Sequence, residues 1–159
     1  MGPFSNCHQI TEILLPNSLL TLNGYSFSSC SSLTSITIPN NVTSIGDHTF
    51  YYCEGLTSVT IGNSVKSIGS YAFYNCTGLT SVTIPDSVTN IVDSAFDSCR
   101  GLTSITSLAI TAPTISIQTF HDVKYGGKLY VPQGSSGYDA WLNTDQYYLG
   151  YYNWTKVEQ

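Results

Sequence analysis

Fixed charge is scarce in this chain. Lys, Arg, Asp and Glu make up 9% of its 159 residues, against roughly 25% in an ordinary soluble domain. The formal net charge is −5 and the pI near 4.8, which argues against binding nucleic acid or an anionic membrane surface. No apolar run approaches the roughly 20 residues that a membrane-crossing helix needs, so no membrane insertion is expected. Catalytic patterns are missing too. There is no G-x-x-x-x-G-K phosphate loop, and Gly134-Ser-Ser-Gly137 lacks the spacing of a nucleophile elbow. His8, His48 and His121 share no ligand spacing with a cysteine or carboxylate, so no metal and no cofactor are expected. Asp47 and Asp93 share one repeat phase, two coils apart. They would lie about 10 Å from each other, near the separation of an inverting glycosidase pair. Both would sit on a corner without a groove, so they read as solvated surface acids and the chain as no enzyme.

What the chain does have is a repeat. Its five cysteines, Cys7, Cys30, Cys53, Cys76 and Cys99, are each 23 residues apart. Phe4, Phe27, Phe50, Phe73 and Phe96 keep the same step. So do Leu33, Leu56, Leu79 and Leu102, with Ile10 in that phase one coil earlier, and Ile36, Val59, Val82 and Ile105, with Ile13 ahead of them. Such regularity belongs to a backbone unit that stacks on copies of itself. The odd count and the single phase favour free, buried thiols in one row over a disulfide framework.

One unit runs from Leu33 to Gly55. Ile36-Thr-Ile38 alternates as a short strand with its apolar side inward. Pro16, Pro39 and Pro85 end that strand in their coils, because proline donates no ladder bond. Val42 and Ile45 turn a second side inward, Gly46 and Gly69 allow a tight corner, and Phe50 and Cys53 fill the interior. The register shifts late, since Phe120 falls 24 residues after Phe96. Residues 1–106 thus read as regular coils. Residues 107–159 read as an irregular last coil and a cap of the same continuous domain. The cap would hold a helical turn from Tyr138 to Leu142 and a last strand at Trp154–Val157. Its crowded aromatics, Tyr138, Trp141, Tyr147, Tyr148, Tyr151, Tyr152 and Trp154, read as packing over the open end of the stack.

From Cys7 to about Leu102 the chain resembles the BspA-like leucine-rich repeat family, whose consensus is L-x-x-I-x-I-P-x-x-V-x-x-I-G-x-x-A-F-x-x-C. Ala72-Phe73 and Ala95-Phe96 match its Ala-Phe pair. Asn23, Gly62 and Val92 depart from it. The resemblance implies a mainly β repeat solenoid. This is a right-handed leucine-rich-repeat coil stack with short parallel strands and an aromatic-rich C-terminal cap. It also implies a protein-interaction or adhesion module of a bacterial cell-surface or secreted protein, without enzymatic residues. The chain begins inside a coil, so it reads as a module whose N-terminal part is missing, and the absence of a signal segment does not argue against export.

Function would then reside in the surface. Outward rows such as Thr37, Thr60 and Thr83 are uniform, which suits sheet cohesion and solubility more than specificity. Variation falls just after the repeat phenylalanine, at Tyr51-Tyr52 and Tyr74. Adjacent tyrosines suit contact with a protein of a host or bacterial surface, or with a glycan. They also suit packing on neighbouring coils. A structural spacer that displays another domain is the alternative; it should be uniform all round, whereas a binder should carry one irregular patch. The uncovered row Phe4, Ile10, Ile13 and Leu15 is expected to pair two copies end to end.

Overall fold

The computed structural model describes residues 2–159. Short parallel strands repeat once per coil on two sides of the stack. On the first side lie β1 (Ser35–Thr37), β3 (Ser58–Thr60), β5 (Ser81–Ile84), β7 (Ser104–Ser107), β9 (Lys128–Val131) and β10 (Thr155–Glu158). On the second lie β2 (Ser44–Ile45), β4 (Ser67–Ile68), β6 (Asn90–Ile91) and β8 (Thr114–Ile115). Every strand pairing is parallel. Register follows the repeat, Ser35 opposite Ser58 and Ser81 opposite Ser104. The late insertion appears as Asn90 opposite Thr114 and Ser104 opposite Lys128.

Each strand is held to this register because a slip of one residue would turn Ile36, Val59, Val82 and Ile105 out to water. All four are buried, as are Val42, Ile45, Val65 and Ile68 on the second side. Between the sides runs a column of rings. Phe4, Phe27, Phe50, Phe73, Phe96 and Phe120 stack at centroid spacings of 5.3, 5.6, 5.1, 5.1 and 5.7 Å. Trp141 ends the column 5.1 Å beyond Phe120. The cap is assembled as the sequence suggests, with a 3₁₀ turn at Tyr138–Ala140 and β10 as the last strand. A second 3₁₀ turn at Leu149–Tyr152 was not legible in the sequence. Tyr138, Trp141, Tyr152 and Trp154 are buried. Their polar atoms find backbone partners: Trp141 Nε1–H donates to Pro113 O at 3.0 Å and Trp154 Nε1–H to Lys124 O at 2.7 Å.

Two expectations are corrected, for the first coil's strand and for Cys7. The phase of Ile13 and Leu15 carries no strand; Leu14 is 93% exposed and the first coil meets only one neighbour among the described residues, so half of its ladder bonds have no partner. Gly46 and Gly69 stand at the expected corner without a positive φ. They are sites of close approach: a Cβ on Gly46 would lie 2.5 Å from Gly24 N, and one on Gly69 2.7 Å from Asp47 N. The cysteine row is free of disulfides, but Cys7 is only half-buried while Cys30, Cys53, Cys76 and Cys99 are buried.

Each buried thiol has a fixed role. Cys53 Sγ–H donates to Phe27 O at 3.1 Å, Cys76 to Phe50 O at 3.3 Å and Cys99 to Phe73 O at 3.1 Å. A weak donor on a small apolar side chain thus faces a carbonyl of the coil before it. Burial, reinforced by Cys30, pushes the Cys53 thiol up to about 12, and burial also raises Cys76 and Cys99. Native thiol labelling near pH 8 is therefore expected to modify Cys7 rapidly and the four buried cysteines only on unfolding. Rapid modification of Cys76 in the folded protein would contradict this packing. Cys53→Ser is expected to cost about 1–2 kcal/mol, moderated because the hydroxyl inherits the Phe27 carbonyl.

Candidate binding surface

After its second-side strand each coil crosses back through tight turns, and two positions in those turns adopt a left-handed backbone. One column holds Tyr25, His48, Tyr71 and Ser94, with φ of 60, 56, 56 and 56°. The other holds Ser29, Tyr52, Asn75 and Ser98, with φ of 60, 58, 55 and 60°. The reason is connectivity between coils. The flipped residue donates its N–H to the next coil, as Tyr25 does to Asp47 O at 3.0 Å, His48 to Ser70 O at 2.8 Å and Tyr52 to Tyr74 O at 2.9 Å.

A left-handed conformation costs any residue with a Cβ an amount of order 1 kcal/mol, and Asn, Asp and His bear it best. Ser29, Asn75, Ser94 and Ser98 show that the fold accepts short side chains there. Four aromatic residues nevertheless occupy these positions, and all four belong to one surface cluster. Tyr25 stacks on His48 at 4.5 Å and 9°, and His48 on Tyr71 at 4.9 Å and 23°. Tyr51 stacks on Tyr74 at 5.1 Å and 17°, and packs against Tyr52 at 4.6 Å. Tyr71 meets Tyr74 edge-on at 5.6 Å. The three tyrosines singled out in the sequence, Tyr51, Tyr52 and Tyr74, are thus brought together. Tyr51 and Tyr74 are half-buried against neighbouring coils, while Tyr52 and Tyr25 stay 38% and 43% exposed. Tyr25, His48 and Tyr71 were missed. Their signal was available as a third aromatic column at the repeat step.

The surroundings are polar and acidic. Glu54 Oε1 accepts from Asn75 Nδ2 at 3.0 Å, and Asp47 Oδ1 from the Ser70 N–H at 2.8 Å. Asp97 continues the Tyr51–Tyr74 column; its Oδ1 accepts from Ser98 Oγ at 2.9 Å and lies 3.2 Å from His121 Nδ1. Burial first, then the neighbouring tyrosines, raise the Tyr51 hydroxyl above its ordinary range, and burial raises that of Tyr74. Both remain protonated near neutral pH. The Nδ1 atom of His48, between two tyrosine rings, is buried without a hydrogen-bond partner. Tyr52→Asn removes left-handed strain along with two ring contacts. It is expected to leave stability within about 0.5 kcal/mol of the parent or raise it. A loss above about 2 kcal/mol in denaturant unfolding would mean that the ring is a structural element.

Thr37, Thr60 and Thr83 sit elsewhere, exposed on β1, β3 and β5. No hydrogen bond links them to the ring cluster among the described residues. The neighbouring row is engaged in the sheet itself: Thr57 Oγ1 donates to Thr34 O at 3.0 Å and Thr103 Oγ1 to Thr80 O at 3.1 Å. Among the described residues no three of His, Cys, Asp and Glu converge as a metal site, and no helix is long and apolar enough to cross a membrane.

Comparison with known proteins fits this architecture. A family model described as "BspA type Leucine rich repeat region" matches residues 2–125 in six copies. A leucine-rich cell-surface protein of Faecalibacterium prausnitzii A2-165 superposes with a TM-score of 0.66 at 28% identity, over 82% of this chain and 44% of its own. The leucine-rich repeat protein of T. pallidum shares the fold with a TM-score of 0.62 at 22% identity, over 73% of this chain and 56% of its own. The chain therefore spans about half the length of these solved proteins. No curated protein matches it.

Proposed function

This chain belongs to the BspA-type leucine-rich repeat family, and we propose that it is a non-enzymatic, adhesive recognition module of a bacterial cell-surface protein, acting through its tyrosine cluster on a partner protein. The observation that carries this reading is the set of large rings at Tyr25, His48, Tyr52 and Tyr71 in left-handed positions where the same fold uses serine or asparagine. Large rings gathered in one patch of an otherwise repetitive surface, at positions that elsewhere hold serine or asparagine, fit contact with a partner better than the stack's own stability. The uniform threonine rows favour the other reading, a spacer without a ligand of its own.

Arrays of host-matrix and bacterial surface proteins, with glycans alongside, separate the two. The parent protein is expected to bind at least one protein that a Tyr25→Asn/Tyr52→Asn/Tyr71→Asn variant does not. If neither binds anything, the spacer reading holds; if parent and variant bind the same set, recognition lies outside the ring cluster. Binding of glycans alone would replace a protein partner by a saccharide. A further apolar feature lies at the end of the stack, where Phe4, Leu15, Leu19, Leu22 and Phe27 line a cavity of about 170 Å³. Pairing of two copies through this end is proposed as well. Sedimentation should show a dimer that Phe4→Glu dissociates, and a monomer at high concentration would exclude it.

A further inference from the structure

The ring cluster lies in a part of the chain with almost no positive charge of its own. From Gly2 to Val65 there is no Lys or Arg, whereas Glu12, Asp47 and Glu54 are acidic. Lys66, the first base, precedes β4 and bonds through its N–H to Thr43 O on the second-side sheet. Arg100, at the far edge of the cluster, is already engaged: its Nε and Nη2 lie 2.8 and 2.6 Å from Asp122 Oδ2. Among the described residues Glu54 and Asp47 have no such partner, whereas Asp97 faces His121. Glu54 follows the exposed Tyr52 by two residues and holds only Asn75, and Asp47 holds a backbone N–H.

The exposed rings also have uncovered sides. Tyr52 has Ser29 and Asn75 at the same phase in the coils beside it, and Tyr25 has Gly2. Tyr52 meets Tyr51 and Tyr74 only in tilted contacts at 4.6 and 5.6 Å, and more than a third of it stays exposed. An aromatic face bordered by unpaired carboxylates attracts a cation through the ring quadrupole and through direct Coulomb attraction. A planar guanidinium meets both demands, stacking on a ring while its N–H fork engages a carboxylate. An uncharged partner segment would leave the carboxylates unused.

We propose that the cluster receives an arginine side chain from an extended basic segment of a partner protein, with the guanidinium over Tyr52 and Glu54 as its counter-ion. This rests on the recognition reading above and names the chemistry of its partner. The test uses an acetylated Gly-Arg-Gly-Arg-Gly amide, its citrulline isostere and a proline-rich peptide, titrated into the whole chain by calorimetry. The arginine peptide is expected to bind at about 50 mM salt and to weaken severalfold at about 0.5 M. Citrulline should bind about five-fold more weakly or worse. Glu54→Gln and Tyr52→Asn should each lower affinity about three- to ten-fold, and the remote Asp139→Asn should leave it unchanged. Equal binding of arginine and citrulline, or an Asp139→Asn loss as large as that of Glu54→Gln, overturns the proposal. So does failure of the arginine peptide to bind. Ring-dependent capture of an array protein, together with any of those results, sinks the arginine assignment and leaves the recognition reading standing. Loss of all ring-dependent binding removes both.

Discussion

Replacing Phe73 by alanine is expected to destabilise the protein by about 3–5 kcal/mol. Phe73 is the ring at the centre of the stack. It is fully buried and lies 5.1 Å from both Phe50 and Phe96. Alanine would leave a ring-sized void between two coils whose backbones cannot close on it, because both strand ladders and the turn bond from the Phe73 N–H to Ala95 O at 2.8 Å hold them at a fixed spacing. Thr83→Ala, on the exposed side of the next coil, is expected to cost well under 1 kcal/mol. Urea unfolding of the two variants, followed by far-ultraviolet circular dichroism, compares them directly. Equal midpoints would mean that the inside and outside of the coil have been exchanged.

Trp141→Ala is expected to be of similar size, about 3–5 kcal/mol, for a different reason. Its indole closes the phenylalanine column over Phe120 at 5.1 Å, packs edge-on to Tyr138 at 5.3 Å and ties the cap to Pro113 O. Without it the last regular coil would present an apolar face to water, and a stack whose end is uncovered unfolds from that end. Trp141→Phe separates the contributions. The ring contact survives while the hydrogen bond to Pro113 is lost, so about 1 kcal/mol is expected. If alanine and phenylalanine cost the same, the indole N–H is what the cap depends on and not the stacking. A Trp141→Ala protein that also elutes as oligomers would follow from the exposed end.

The constant step of 23 residues made most of the interior legible. Once Phe27, Phe50, Phe73 and Phe96 share a phase they must share a place in the coil, and a column of rings through a narrow stack has nowhere to lie but inside. The same argument placed Ile36, Val59 and Val82 inward and Thr37, Thr60 and Thr83 outward. It failed at Cys7 and at the Ile13–Leu15 segment, which have the right phase but, among the described residues, a neighbouring coil on one side only. Burial in a stack is a property of three consecutive coils, and phase describes one.

The binding surface was legible only in part. Tyr51, Tyr52 and Tyr74 stood out because they vary between coils. Their union with Tyr25, His48 and Tyr71 depends on left-handed turns at φ near +60°, and nothing about tyrosine or histidine announces that conformation. By itself the amino-acid sequence determined the family, the coil length, the buried columns and the need for an aromatic cap, because each follows from identical side chains meeting identical surroundings at every repeat. Only the tertiary structure decided which columns touch, which rings keep an open side and which carboxylates stay unpaired. Those depend on the direction in which each turn aims its N–H groups and side chains, and that direction is set by hydrogen bonds to the next coil rather than by the residue that occupies the turn.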